Sequence, residues 1–155
     1  MTKPVRQLTL GLVAHDRCKQ ALADWTREHQ DALRPHCLIA TGTTARLLSE
    51  AAPGLSISAV RSGPLGGDQQ LGAMIAEGRL DGLIFLIDAM TPQPHDVDIK
   101  ALLRLCILYE VPLAVNLTTA TLLIGNADFL AGARTPAADP APLYAAYANR
   151  PLTAP

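Results

Sequence analysis

Five short apolar runs recur along this chain, at Leu8 to Ala14, Cys37 to Ala40, Ser56 to Val60, Gly82 to Ile87 and Leu113 to Val115. Segments of helical spacing lie between them, at 17–30, 44–52, Asp68 to Gly78 and about Asp98 to Glu110. Strands joined through helical crossovers run parallel, and a parallel sheet must be covered on both faces. The alternation therefore predicts one α/β domain of three layers, a five-stranded, mainly parallel sheet with helices on both sides. That domain is expected over 1–130. The Ala/Pro-rich stretch 131–155 reads as a tail packed on the domain or on a neighbouring subunit, or partly disordered.

In such sheets ligands bind beyond the carboxyl ends of the strands, at the point where the strand order reverses. The polar clusters all fall at such ends: His15-Asp16, Thr41 to Thr44, Ser62 to Asp68, Asp88 to Asp98 and Asn116 to Thr119. With 155 residues, 49% of them hydrophobic, the chain can build a core. Its 13 basic and 14 acidic residues, without a basic run, argue against a nucleic-acid or membrane surface. Cys18, Cys37 and Cys106 are odd in number and widely spaced, so neither a disulfide framework nor a zinc motif is expected. A reduced cytoplasm fits this usage. The short run after Lys3 and Arg6 lacks a signal-peptide layout, and no stretch is long enough to span a bilayer.

The densest cluster is Ser62-Gly63-Pro64-Leu65-Gly66-Gly67-Asp68. Small and turn-forming residues let the main chain approach an anion, and a helix starting at Asp68 would aim its dipole at it. Asp68 itself reads either as a carboxylate presented to that ligand or as a plain helix cap. Thr41-Gly42-Thr43-Thr44 offers hydroxyls and backbone N–H groups for phosphate oxygens, or an ordinary Thr-rich cap. It lacks the Walker lysine, so a nucleotide is not implied. Lys19, one helical turn beyond His15, is a candidate phosphate contact or a solvated surface residue. His95, beside Asp96 and Asp98 and after Pro92 and Pro94, can polarise a carbonyl or relay a proton. Asp98 is equally a cap for the helix that follows. A metal held by His15, His95 and the aspartates is the rival reading, but neither histidine has a ligand spacing, and no metal is expected. His29 and His36 are expected to be structural. Trp25, Leu102, Leu103, Leu105 and Cys106 are expected in the core.

Together these motifs resemble the methylglyoxal synthase family. The matching stretches are Leu12 to Asp16 with Cys18 to Gln20, Ala40 to Thr44, Ser62 to Gln70, and Pro94 to Asp98 with Lys100 to Arg104. The resemblance implies a homohexameric lyase that converts dihydroxyacetone phosphate to methylglyoxal and inorganic phosphate, a bypass of glycolysis, with no metal or organic cofactor. It implies Asp68 as the base, His95 as the group that polarises the carbonyl and shuttles protons, and Asp98 as its charged neighbour. His15, Lys19, Thr41, Gly42, Thr43, Thr44, Ser62 and Gly63 match substrate-binding positions, and Arg150 matches an arginine such enzymes carry near the C-terminus. The chain departs from the family pattern at Ala89-Met90, where relatives commonly have a proline, and in its tail.

Removing a proton beside a ketone needs a placed base and stabilisation of the developing enolate oxygen, and a carboxylate with a histidine supplies both. Two other classes are open to a five-stranded, doubly wound chain. A non-catalytic regulatory module that binds small molecules is the first, and the joint presence of Asp68, His95 and Asp98 argues against it. A signalling receiver would need an acidic pair after its first strand and a lysine after its last, where this chain has His15-Asp16 and Asn116.

Overall fold

The structure, a computed structural model, describes residues 6–133 and 141–151. Its five strands are β1 (Thr9–Ala14), β2 (Cys37–Thr41), β3 (Ile57–Val60), β4 (Gly82–Leu86) and β5 (Leu113–Ala114). They pair in parallel in the order β3-β2-β1-β4-β5. The chain steps outward from β1 to β3, then crosses back to lay β4 on the other side of β1. That reversal makes β1 and β4 the switch point. A receiver-type sheet has the order 2-1-3-4-5, so the topology separates this chain from that class.

The period-two alternation of a strand sorts the apolar residues into two cores. From β1 and β4, Leu10, Leu12, Ile84 and Leu86 point to one face, and Val13, Leu83 and Phe85 to the other. The first face is covered by α1 (Lys19–Glu28), α2 (Gln30–Leu33), α3 (Gly42–Ala51), α6 (Leu117–Gly125) and α7 (Ala127–Leu130). The second is covered by α4 (Gly67–Ala76) and α5 (Asp96–Leu108). Trp25 is buried in the first core, and its indole N–H donates to Thr121 Oγ1 at 2.9 Å. Leu102 and Cys106 are buried in the second, with Leu103 and Leu105 half-buried at its margin.

The first helical segment is not continuous. A 3-10 turn (Asp16–Cys18) precedes α1, and the helix breaks at His29, whose ring stacks on Trp25 and donates from Nδ1 to the Trp25 carbonyl at 2.8 Å. His36 is buried, and its Nδ1 accepts the Leu8 N–H at 3.2 Å. Both histidines are thus structural. The helices α6 and α7 were not evident from periodicity, because Leu117–Gly125 is apolar and Thr-rich on all sides. Their signal is the caps: Asn116 Oδ1 accepts from Thr119 N and Asn126 Oδ1 from Phe129 N, each at 2.9 Å. The polar cluster at Asn116 is therefore a cap rather than part of a site. In the tail, residues 134–140 and 152–155 lie outside the described residues, and an exposed helix, α8 (Ala141–Ala148), lies between them.

Candidate active site

A cavity of about 300 Å3 opens at the carboxyl ends of the strands, over the switch point. Five sequence clusters pointed to this edge, and four of them meet here: His15 and Asp16 after β1, Thr41 and Thr43 after β2, Ser62 to Asp68 after β3, and Gln93 to His95 after β4.

The loop after β3 curls into a 3-10 turn (Gly63–Leu65), and the Leu65 and Gly67 N–H groups both donate to the Ser62 carbonyl, at 2.9 and 3.0 Å. Gly66, at φ 102°, then starts α4. The cap position therefore belongs to Gly66, and Asp68 is released from that duty. It sits in the first turn, 3% exposed, with Oδ2 making no hydrogen bond. Burial pushes its carboxyl above the ordinary range; the neighbouring His95 pulls it back, and Asp98 pushes it further up. The result is a carboxylate made more basic by its surroundings.

His95 caps α5, and its Nε2 lies 3.5 Å from Asp68 Oδ2. Gly63 lets these two groups meet. A Cβ there would stand 3.0 Å from His95 Nε2 and 3.2 Å from Asp68 Oδ2. Asp98 is not a cap: its N–H donates to the His95 carbonyl at 2.9 Å from within the first turn of α5. Its side chain faces a groove between α4 and α5 that Asp68 also borders, rather than the cavity. Asp98 thus acts on Asp68 from behind, as a like charge.

His15 is 6% exposed at the end of β1. Its Nδ1 accepts the backbone N–H of Asp88 at 2.9 Å, so the neutral ring carries its hydrogen on Nε2, which is buried and has no partner. Burial, then the nearby His95, lower its pKa. His15 is accordingly a neutral N–H donor at the cavity wall, set edge-on to Phe85.

Lys19 is no free surface lysine. Its Nζ donates to Asp16 Oδ1 at 2.5 Å and to Thr43 Oγ1 at 2.6 Å, bringing a cation against the start of α3. Thr41 holds the cap position of α3 but makes no side-chain cap bond, so its hydroxyl is available to a ligand beside the unpaired N–H groups of the first turn. Gly42 suits the turn there: φ is 22°, and a Cβ would collide with Ser62 Oγ. Thr44 is buried with its Oγ1 unpartnered, and it is not among the residues that line the cavity. Arg150 is exposed, stacks 4.5 Å above the Tyr147 ring, and does not line it either. Among the described residues, no group of three or more His, Cys, Asp or Glu side chains is placed to hold a metal ion.

A family model described as the MGS-like domain matches residues 21–115. The chain is 56% identical over 130 residues to a methylglyoxal synthase from Oleidesulfovibrio alaskensis, an alignment covering 84% of this chain and 88% of that one. It is 54% identical over 126 residues to the methylglyoxal synthase of Pseudoalteromonas atlantica, covering 81% and 93%. The chain belongs to the methylglyoxal synthase family. A crystal structure of methylglyoxal synthase from Elizabethkingia anophelis matches with a TM-score of 0.85 at 40% identity, covering 97% of this chain and 99% of that one. The five-stranded fold is thus the fold of a methylglyoxal synthase.

The family-model match encloses Asp68, His95 and Asp98, while His15 and Lys19 lie just before it and Arg150 well beyond. Three features of this candidate site escaped the sequence reading. Asp16 holds Lys19, the Asp88 backbone sets the His15 tautomer, and Gln93 lines the cavity. Gln93 had a signal, its place between Pro92 and Pro94 in the His95 loop, and Asp16 had one in its spacing of three from Lys19.

Proposed function

We propose that the chain converts dihydroxyacetone phosphate to methylglyoxal and inorganic phosphate, with Asp68 as the base. The observation that carries this reading is a buried, unpartnered carboxylate whose basicity is raised, 3.5 Å from an imidazole and at the edge of a cavity with a phosphate-type rim. The substrate phosphate sits on Lys19, the Thr41 and Thr43 hydroxyls, the Gly42 turn and the Ser62-Gly63 loop. Asp68 takes a proton from the hydroxyl-bearing carbon. The negative charge that develops on the carbonyl oxygen is stabilised by His95 and by the Nε2–H of His15. His95 then carries a proton between the two oxygens of the enediol, and Asp98 keeps Asp68 basic. The C–O bond to phosphate, held parallel to the π system, breaks as the hydroxyl oxygen becomes the aldehyde, and the enol left behind gives up its O–H proton and gains one at its methylene carbon to become methylglyoxal. Polarisation by two histidines supplies the role a Lewis acid would otherwise play.

We extend the proposal to a homohexamer in the cytoplasm, acting as a bypass of glycolysis. Support comes from apolar side chains left on the surface, such as Met90, Val97 and Ile107, and from three free thiols. Arg150 and α8 are proposed to act at a subunit contact rather than within their own chain. No helix among the described residues is long and apolar enough to cross a membrane.

The test is to give purified chain dihydroxyacetone phosphate and trap methylglyoxal, before and after exhaustive dialysis against a chelator. Equal production in both is expected. A chain that binds the phosphate ester yet forms no methylglyoxal would instead be the regulatory module of the same fold.

A further inference from the structure

Proton abstraction at a hydroxyl-bearing carbon also needs an acceptor for the hydroxyl hydrogen while His95 is engaged in polarising the carbonyl. The substrate hydroxyl is a donor, and a donor buried without an acceptor loses its hydrogen bond to water with nothing in return. Asp68 must face the C–H bond, and Asp16 is committed to Lys19 at the exposed rim. His15 offers only an N–H, because its Nδ1 already accepts from Asp88.

Gln93 is the side-chain amide among the residues lining the cavity. Its Nε2 donates to the Thr91 carbonyl at 3.1 Å. A carbonyl can only accept, so this bond forces the amide orientation and leaves Oε1 as the end free to accept from a ligand. Pro92 and Pro94 flank the residue and fix φ on either side of it, and the Asp96 N–H closes the turn onto the Gln93 carbonyl at 3.3 Å. The acceptor is thus held before substrate arrives, on the same short loop that carries His95.

We propose that Gln93 reads the substrate's free hydroxyl group, accepting its hydrogen at Oε1 and so fixing which C–H of that carbon faces Asp68. The proposal rests on the lyase reading above and names the specificity residue of that site. A phosphate ester with a ketone but no hydroxyl fills the same phosphate and carbonyl subsites and lacks this one contact.

The experiment compares dihydroxyacetone phosphate as substrate with hydroxyacetone phosphate, its analogue without the hydroxyl, as competitive inhibitor, in the wild-type chain and in Gln93→Met. Methionine keeps the length and volume of the side chain and removes the acceptor. The expected result is a fall of about tenfold or more in kcat/KM for dihydroxyacetone phosphate. The inhibition constant of the analogue should stay within about twofold, which also shows that the variant site is folded. Equal weakening of both ligands, or no change in either, overturns the role of Gln93. A wild-type chain that forms no methylglyoxal overturns the lyase reading itself, and this proposal with it.

Discussion

His95 Nε2 and Asp68 Oδ2 face one another at 3.5 Å, beside Gly63, where a side chain would press on both. The separation exceeds that of a good hydrogen bond, so neither group is spent on the other and each is left to a substrate atom. A base beside an electrophile is the pairing that enolisation requires.

Asp68→Asn should leave the fold intact and lower turnover by at least ~10²–10⁴. It should also raise thermal stability near neutral pH. Because the carboxyl is raised in the folded chain, the fold suffers no penalty below the unfolded carboxylate value and loses stability as pH rises through the folded one. Melting curves of both proteins from acid to neutral pH check this: the variant's advantage should grow with pH, and a constant difference would contradict the argument.

His95→Gln should depress kcat more than it raises KM, since the interaction with the carbonyl oxygen strengthens as charge develops there. Steady-state kinetics decide it. A change in KM alone would make His95 a binding residue.

Most of the fold was legible because periodicity and polar punctuation agree along β1 to α5. The break at His29 was not, since it depends on a ring stacking on Trp25 across one helical turn. The helices α6 and α7 bury only part of an apolar surface and carry no stripe, so only their Asn caps betray them. At the site, the residue types pointed to the right edge of the sheet, but orientation was invisible. Asp68 suits a cap by sequence, and the structure gives that place to Gly66. The His15 tautomer depends on a backbone N–H 73 residues away.

His36 is buried and its pKa is lowered, chiefly by burial, with Asp81 opposing. Its neutral form supports the fold fully above the unfolded histidine value of about 6.5, and that support is lost as pH falls through the folded value. In His36→Asn the Oδ1 atom can still accept the Leu8 N–H, so the variant should unfold less steeply with acid. Chemical denaturation across mildly acidic pH measures the slope, and an unchanged slope would assign the acid sensitivity elsewhere.

The phosphate rim predicts selective binding of 2-phosphoglycolate, whose carboxylate mimics the enediolate while its phosphate meets Lys19, Thr41 and Thr43. Calorimetry should show far weaker binding of glycolate. Equal affinities would remove these residues from phosphate recognition.

A phosphorus and proton NMR time course of dihydroxyacetone phosphate with the purified chain tests the lyase reaction itself. Loss of substrate should be matched, mole for mole, by inorganic phosphate and methylglyoxal, with no glyceraldehyde 3-phosphate formed. Accumulation of that isomer without free phosphate, or a spectrum that does not change, would contradict it.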